Sequence, residues 1–241
     1  MLHGIMGSVD RVPPEPSVLG GRLSPLGWSA GFLEAPIEPA SESLLAWRTA
    51  LEVPYKVSRS RAPWPDLLLA LEPLETPWTS EVLASHGATW TAYLNNDISG
   101  GDPFPATSYL AKLMDVRWVI ATHQPMTSDG HASTQLWLGG PNGEPPLSYV
   151  RTIAAHAEDR RWSWETSGQV QDFERPAAYR AGKISERFTR PLLLEYLQAL
   201  GIAADDDTQY GAAVIVKRRT AWRPWRRSRR LTLRQARQSE K

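Results

Sequence analysis

Trp90, Ala92 and Leu94 fall on one side of a period-two pattern, with Thr89, Thr91, Tyr93 and Asn95 on the other, which predicts a half-buried strand. Gly100-Gly101 ends that pattern, Asp102 is placed to cap a helix, and Pro103 or Pro105 suits a first helical turn. Tyr109, Leu110, Leu113 and Met114 then recur at helical spacing, and the apolar run 116–121 predicts an interior strand.

The pattern extends in both directions from this centre. Upstream it predicts a helix from Ser41 or Ser43 to about residue 51, a short strand over 55–59 and a helical segment over 65–71. The segments 80–85 and 88–95 predict a hairpin about His86-Gly87. Downstream, 133–138 and 147–155 predict paired strands, with Asn142-Gly143 as the turn signal. The segments 161–166 and 170–174 predict a further hairpin about Ser167-Gly168. Leu193, Tyr196, Leu197 and Leu200 form an i, i+3, i+4, i+7 stripe over 189–200, capped by Thr189 and closed by Gly201 and Ile202. The run 210–216 predicts a last, buried strand. These elements predict a single α+β domain with a largely antiparallel sheet of about six strands and helices on one side.

The flanks break the pattern. Residues 1–40 hold Pro13, Pro14, Pro16, Pro25, Pro36 and Pro39 without sustained periodicity and predict an irregular arm before a domain over 41–216. Residues 217–241 carry 11 Lys and Arg against the single acid Glu240, a net +10. That leaves 16 of the 27 basic and 25 of the 26 acidic residues for the rest, a net −9, so the overall charge of +1 describes neither part. With few aliphatic residues and many like charges, the part from about Ala221 onward is expected to be separable from the fold.

Composition narrows the chemistry. A chain of 241 residues that is 41% hydrophobic can bury a sizeable core. The absence of cysteine excludes disulfides, thiolate metal sites and cysteine nucleophiles, and suits a reducing cytoplasm. No apolar run reaches the roughly 20 residues of a membrane span, and the first residues lack the basic and apolar regions of a signal peptide. A cytoplasmic protein is the expectation.

Four stretches are weighed as sites. The loop residues Asn95, Asn96, Asp97 and Asp102 lie between a strand and a helix start, where small ligands bind, although the same residues serve turn chemistry. His123 and His131 flank Ser128 and Asp129, which suggests a hydrolytic set assembled with that loop, but no G-x-S-x-G elbow accompanies them. No metal spacing and no nucleotide-binding glycine pattern is present, so no cofactor and no metal site is expected. Trp162 and Trp164 share one strand face, beside Glu165, Asp172 and Glu174, and read as aromatic anchors with a charged rim for a protein partner. Arg218, Arg219, Trp222, Arg223, Trp225, Arg226, Arg227, Arg229 and Arg230 interleave cations with aromatics, a composition suited to nucleic acid or to an anionic membrane surface.

One longer pattern carries a resemblance. Arg151, Trp162-Ser163-Trp164-Glu165, Gly168, Phe173-Glu174, Tyr179, Arg187, Leu194-Glu195-Tyr196-Leu197 and Gly201 together resemble uncharacterised bacterial α+β proteins associated with toxin–immunity loci. The resemblance implies no catalytic residue. With the −9 body it leads to the expectation of a non-catalytic, immunity-like inhibitor of a basic toxin. A hydrolase using the 95–102 loop with a histidine is the second reading, and polyanion binding through the tail the third.

Overall fold

The computed structural model describes residues 16–20, 24–64, 66–146, 148–219 and 229–239. Its centre is a nine-stranded sheet, antiparallel at every pairing, in the order β2-β10-β4-β5-β1-β6-β7-β8-β9. The strands are β1 (Ser29–Leu33), β2 (Tyr55–Ser60), β4 (Ser80–His86), β5 (Trp90–Asn95), β6 (Trp118–Gln124), β7 (Ala132–Glu144), β8 (Tyr149–Glu158), β9 (Arg161–Gly168) and β10 (Tyr210–Arg218). A second sheet pairs β3 (Leu74–Glu75) with β11 (Arg230–Leu231). Among the described residues the α-helices are α1 (Ile37–Ala50), α2 (Asp66–Leu69), α3 (Phe104–Met114), α4 (Arg190–Ala199) and α5 (Leu233–Ser239).

This overturns the expected sheet of about six strands with helices on one side. The sheet has nine strands among the described residues, and helices pack on both faces of its central part. On one face α1 and α3 cover Leu33, Leu83, Tyr93, Ile120, Val214 and Val216. On the other, α2, α4 and α5 pack with the opposite alternation, including Phe32, Val82, Ala92, Val119 and Leu136.

The error is clearest in the N-terminal segment. Its Ser-Ala-Gly-Phe-Leu run forms β1, the middle strand of nine, with all five residues buried. The small residues that hide a strand from a pattern search are what the position needs. A Cβ at Gly31 would overlap the side chain of Thr107 on α3, so only glycine lets the helix lie this close. Gly31→Val is accordingly expected to lower the unfolding midpoint in urea by overpacking, with a loss of about 1–3 kcal/mol.

The tail differs from expectation too. Lys217 and Arg218 end β10. Beyond residues 220–228, which are outside the described part, the chain returns to the body. Arg230 pairs in register with Glu75 and its Nε lies 2.9 Å from the Glu75 carboxylate. The Leu233 amide donates to Glu72 Oε1 at 2.7 Å, and Leu233 and Ala236 are buried in the core. The expected boundaries at 40 and 217 therefore do not separate the described flanks from the domain. Leu233→Ala should lower stability by about 2 kcal/mol in a denaturant titration, whereas a dispensable tail would show no change.

The remaining elements lie close to the pattern. The hairpin β4–β5 closes with His86 opposite Trp90. In α4, Leu193, Tyr196 and Leu197 are buried, Gly201 has φ +82°, and the Ile202 amide donates to the Leu197 carbonyl at 2.8 Å. Asn142-Gly143 is not the turn between β7 and β8. β7 runs on through Glu144, with register shifts after Leu138 and Gly139. No strand forms over 170–174; β9 is the sheet edge, and the chain after it crosses the α4 face through short 3-10 turns at Ala178–Arg180 and Ile184–Glu186.

Candidate functional site

Helix α3 ends its coverage of the sheet at β7, and beyond it the strands β7, β8 and β9 present a bare face. Alternation decides what that face carries. Gln135 and Trp137 on β7, Thr152, Ala154 and His156 on β8, and Glu165 on β9 line a cleft of about 390 Å³. It shares Gln124, Gln135 and Trp137 with a second cleft of about 190 Å³, bounded by Trp28, Ser99 and Asp102 at the start of α3. The two form one groove.

Aromatic rings mark the border where α3 meets the bare strands. Phe104 lies 5.3 Å from Trp137 edge-on and 5.9 Å from Tyr149 in a parallel stack, measured between ring centroids. Half-buried Trp137 and Tyr149 offer flat apolar surface held in place by neighbours, which suits an anchor. The fixed charge of the lining is of one sign: Asp102, Glu158 and Glu165 are present, and no Lys or Arg is among the lining residues. A groove of amides, hydroxyls, aromatic rings and carboxylates can bind a cationic, partly apolar ligand.

The two histidines of the expected hydrolytic set are not brought together in it. His123 is on the opposite face, buried, with Nδ1 2.9 Å from Thr134 Oγ1. His131 is exposed at the groove margin, 3.8 Å from Asp129. Among the described residues, no group of three or more His, Asp and Glu is placed to hold a metal ion.

The 95–102 loop spends its polar atoms internally. Asn96 is buried; its Oδ1 accepts from the Thr79 and Ser80 amides at 2.8 Å and its Nδ2 donates to the Pro73 carbonyl. Asn95 donates to the Asp102 carbonyl, and Asp97 accepts from the Ser99 amide. Asp102 accepts from the Phe104 amide at 3.1 Å, fixing the first turn of α3. Turn and capping chemistry therefore accounts for Asn95, Asn96 and Asp97, and of the four candidate residues Asp102 is the one that lines the groove.

The partner set around the tryptophans is split by the sheet. Trp162 and Trp164 pack half-buried on the α4 face, with the Trp164 ring 5.2 Å from that of Tyr179. Glu165 points to the bare face, and Asp172 lines a separate cleft of about 200 Å³ beside Phe173 and Leu200. Glu174 is buried and belongs to no rim. Its carboxylate takes both Arg151 Nε and Nη2 at 2.9 Å, the Gln171 amide at 2.8 Å and the Tyr179 hydroxyl at 2.7 Å. Tyr196 completes the set, accepting from the Arg175 amide at 2.7 Å with its oxygen 3.0 Å from that of Tyr179. Burial and hydrogen bonding with Tyr196 and Glu174 push the Tyr179 hydroxyl to hold its proton far above the usual tyrosine range. Gly168, at φ +82°, lets the chain turn against the Val150 carbonyl and into this cluster. Arg151, Glu174, Tyr179 and Tyr196 thus form a lock joining β8, the crossing segment and α4.

Of the tail residues, Arg218 lies with its guanidinium 5.7 Å from the Trp78 ring, and Arg219 and Arg229 are exposed. Arg230 is engaged by Glu75. Trp222, Arg223, Trp225, Arg226 and Arg227 lie outside the described residues.

The groove itself escaped the sequence reading, although alternation along 133–137 and 152–156 carried part of the signal. No family model matches the chain, and no curated protein or solved structure matches it. No described helix is long and apolar enough to cross a membrane.

Proposed function

We propose that this chain is a non-catalytic binding protein that takes a basic segment of a protein partner in the groove on the bare half of its sheet. The observation that carries the reading is the lining: Asp102, Glu158 and Glu165 together with Trp137 and Tyr149, with no Lys or Arg among the lining residues and Arg161 standing opposite Glu158 at the margin. Rings supply the apolar anchor, carboxylates select cations, and amides and hydroxyls accept the partner's backbone. An immunity-type inhibitor capping a basic toxin fits this chemistry, since complementary charge speeds association and rejects acidic competitors. We place that encounter in the cytoplasm, where a chain without cysteine loses nothing to a reducing medium.

A lysine- and arginine-containing octapeptide with a central leucine is the probe. On titration, the amide resonances of Gln135, Thr152, Ala154 and Glu165 are expected to shift, with affinity falling as salt rises. Trp137→Ala should weaken binding by on the order of 2 kcal/mol at unchanged folding stability. Shifts confined to the acidic run 205–207, or binding indifferent to Trp137, would remove the groove from the account.

A further inference from the structure

The two edges of the main sheet are built differently. On β2, Lys56 and Arg59, followed by Arg61, lie between Pro54 and Pro63, so a second copy would meet its own cations there. β9 is less protected, with Arg161 its one cation. It runs for eight residues without proline or lysine, keeps an unbroken register against β8, and has no strand on its outer side among the described residues.

Which of its backbone groups face outward follows from the turn. Asp159 and Arg160 have φ +48° and +63°, the double left-handed pair of a two-residue type I′ hairpin. Such a turn makes Glu158 and Arg161 a hydrogen-bonded pair. Alternation then makes His156–Ser163 and Ala154–Glu165 hydrogen-bonded pairs too. The amides and carbonyls of Trp162, Trp164 and Thr166 are therefore directed away from β8. An added antiparallel strand of the same sequence must set even-numbered residues opposite even-numbered ones.

Among those registers, one is self-complementary. Centred on Ser163, it places Arg161 of each copy opposite Glu165 of the other on the bare face, and Trp162 opposite Trp164 on the α4 face. Arg161 and Glu165 are exposed, and both tryptophans are half-buried with ring surface to spare. Centring on Trp162 or on Trp164 instead loses both charge pairs.

We propose that β9 pairs antiparallel with β9 of a second copy about Ser163, joining two sheets edge to edge. Each bare groove then continues into the other copy, whose Arg161 stands beside Glu165 at the seam. This inference does not depend on what occupies the groove.

The chain has no cysteine, so a single introduced one reports without background. At Ser163 the two copies would form a non-hydrogen-bonded pair about 4.5 Å apart at Cα, within disulfide range. Mild oxidation of Ser163→Cys should therefore yield a covalent dimer, and Thr166→Cys, three residues off the axis, should not. In sedimentation, wild type should rise with concentration towards twice the 26.9 kDa of one chain. Arg161→Glu or Glu165→Arg alone should weaken that association about tenfold or more. The combined reversal should restore it. A chain that stays at 26.9 kDa throughout, equal cross-linking from Thr166→Cys, or single reversals without effect would each overturn the dimer. So would a basic peptide that protects the β9 amides of a monomeric chain. The octapeptide titration at the groove stands apart from all of these outcomes.

Discussion

Glu174→Ala is expected to destabilise the fold by about 3–5 kcal/mol, read as a lower urea midpoint at constant slope. The Arg151 and Glu174 side chains are 4% and 0% exposed, and the guanidinium also donates from Nη1 to the Ser167 and Gly168 carbonyls. Removing the carboxylate leaves that guanidinium buried without its counter-charge and strips partners from Tyr179 and the Gln171 amide. The loss exceeds the net worth of the pair, because an uncompensated buried charge is costlier than no charge. Replacing both members, Arg151→Met with Glu174→Leu, should recover a large part of the stability. A loss below about 1 kcal/mol in the single variant would mean that the cluster is not the lock described here.

The second large effect is acid lability. Burial lowers His86 to about 4, with Asp206 pulling weakly the other way, and burial with Arg190 nearby lowers His123 to about 4. His86 is enclosed by Phe32 and Tyr210, and neither ring nitrogen meets a hydrogen-bond partner among the described residues. In the unfolded chain both titrate near 6.5. Between those values the unfolded state binds more protons, so stability is full above about pH 6.5 and is lost as pH falls towards 4. Each imidazole should contribute about 2–3 kcal/mol to that loss. Denaturant titrations at pH 7 and 4.5 measure it, and His86→Phe should remove about half of the difference. An unchanged slope in that variant would place the acid transition elsewhere.

Local order was legible in the chain, and what was missed is non-local. The α4 stripe and its Gly201 exit, the β4–β5 hairpin and the burial of Val214 and Val216 all follow from spacing within one segment. β1 was hidden because Ser29, Ala30 and Gly31 give little hydrophobic signal, and their burial depends on β5, β6 and α3 closing around them. Arg151 and Glu174 stand 23 residues apart, and nothing local pairs them. Glu174 therefore read as a rim carboxylate until the fold brought it to Arg151. Alternation did hold Trp162 and Trp164 on one face and Glu165 on the other, so their separation could have been read directly. The groove exists because α3 stops short of β8, a fact about packing that no segment states by itself.

We propose that the bare half of the sheet receives a basic protein partner. The most direct test of this proposal places a photo-reactive side chain at Gln135 inside the groove, and separately at Lys112 on the exposed side of α3, in the full chain expressed in its native host. A discrete adduct is expected from Gln135 only, formed with a basic protein and lost when Glu165→Arg or Trp137→Ala is added. Equal adducts from Lys112, or a Gln135 adduct with an acidic protein that survives both substitutions, would contradict it.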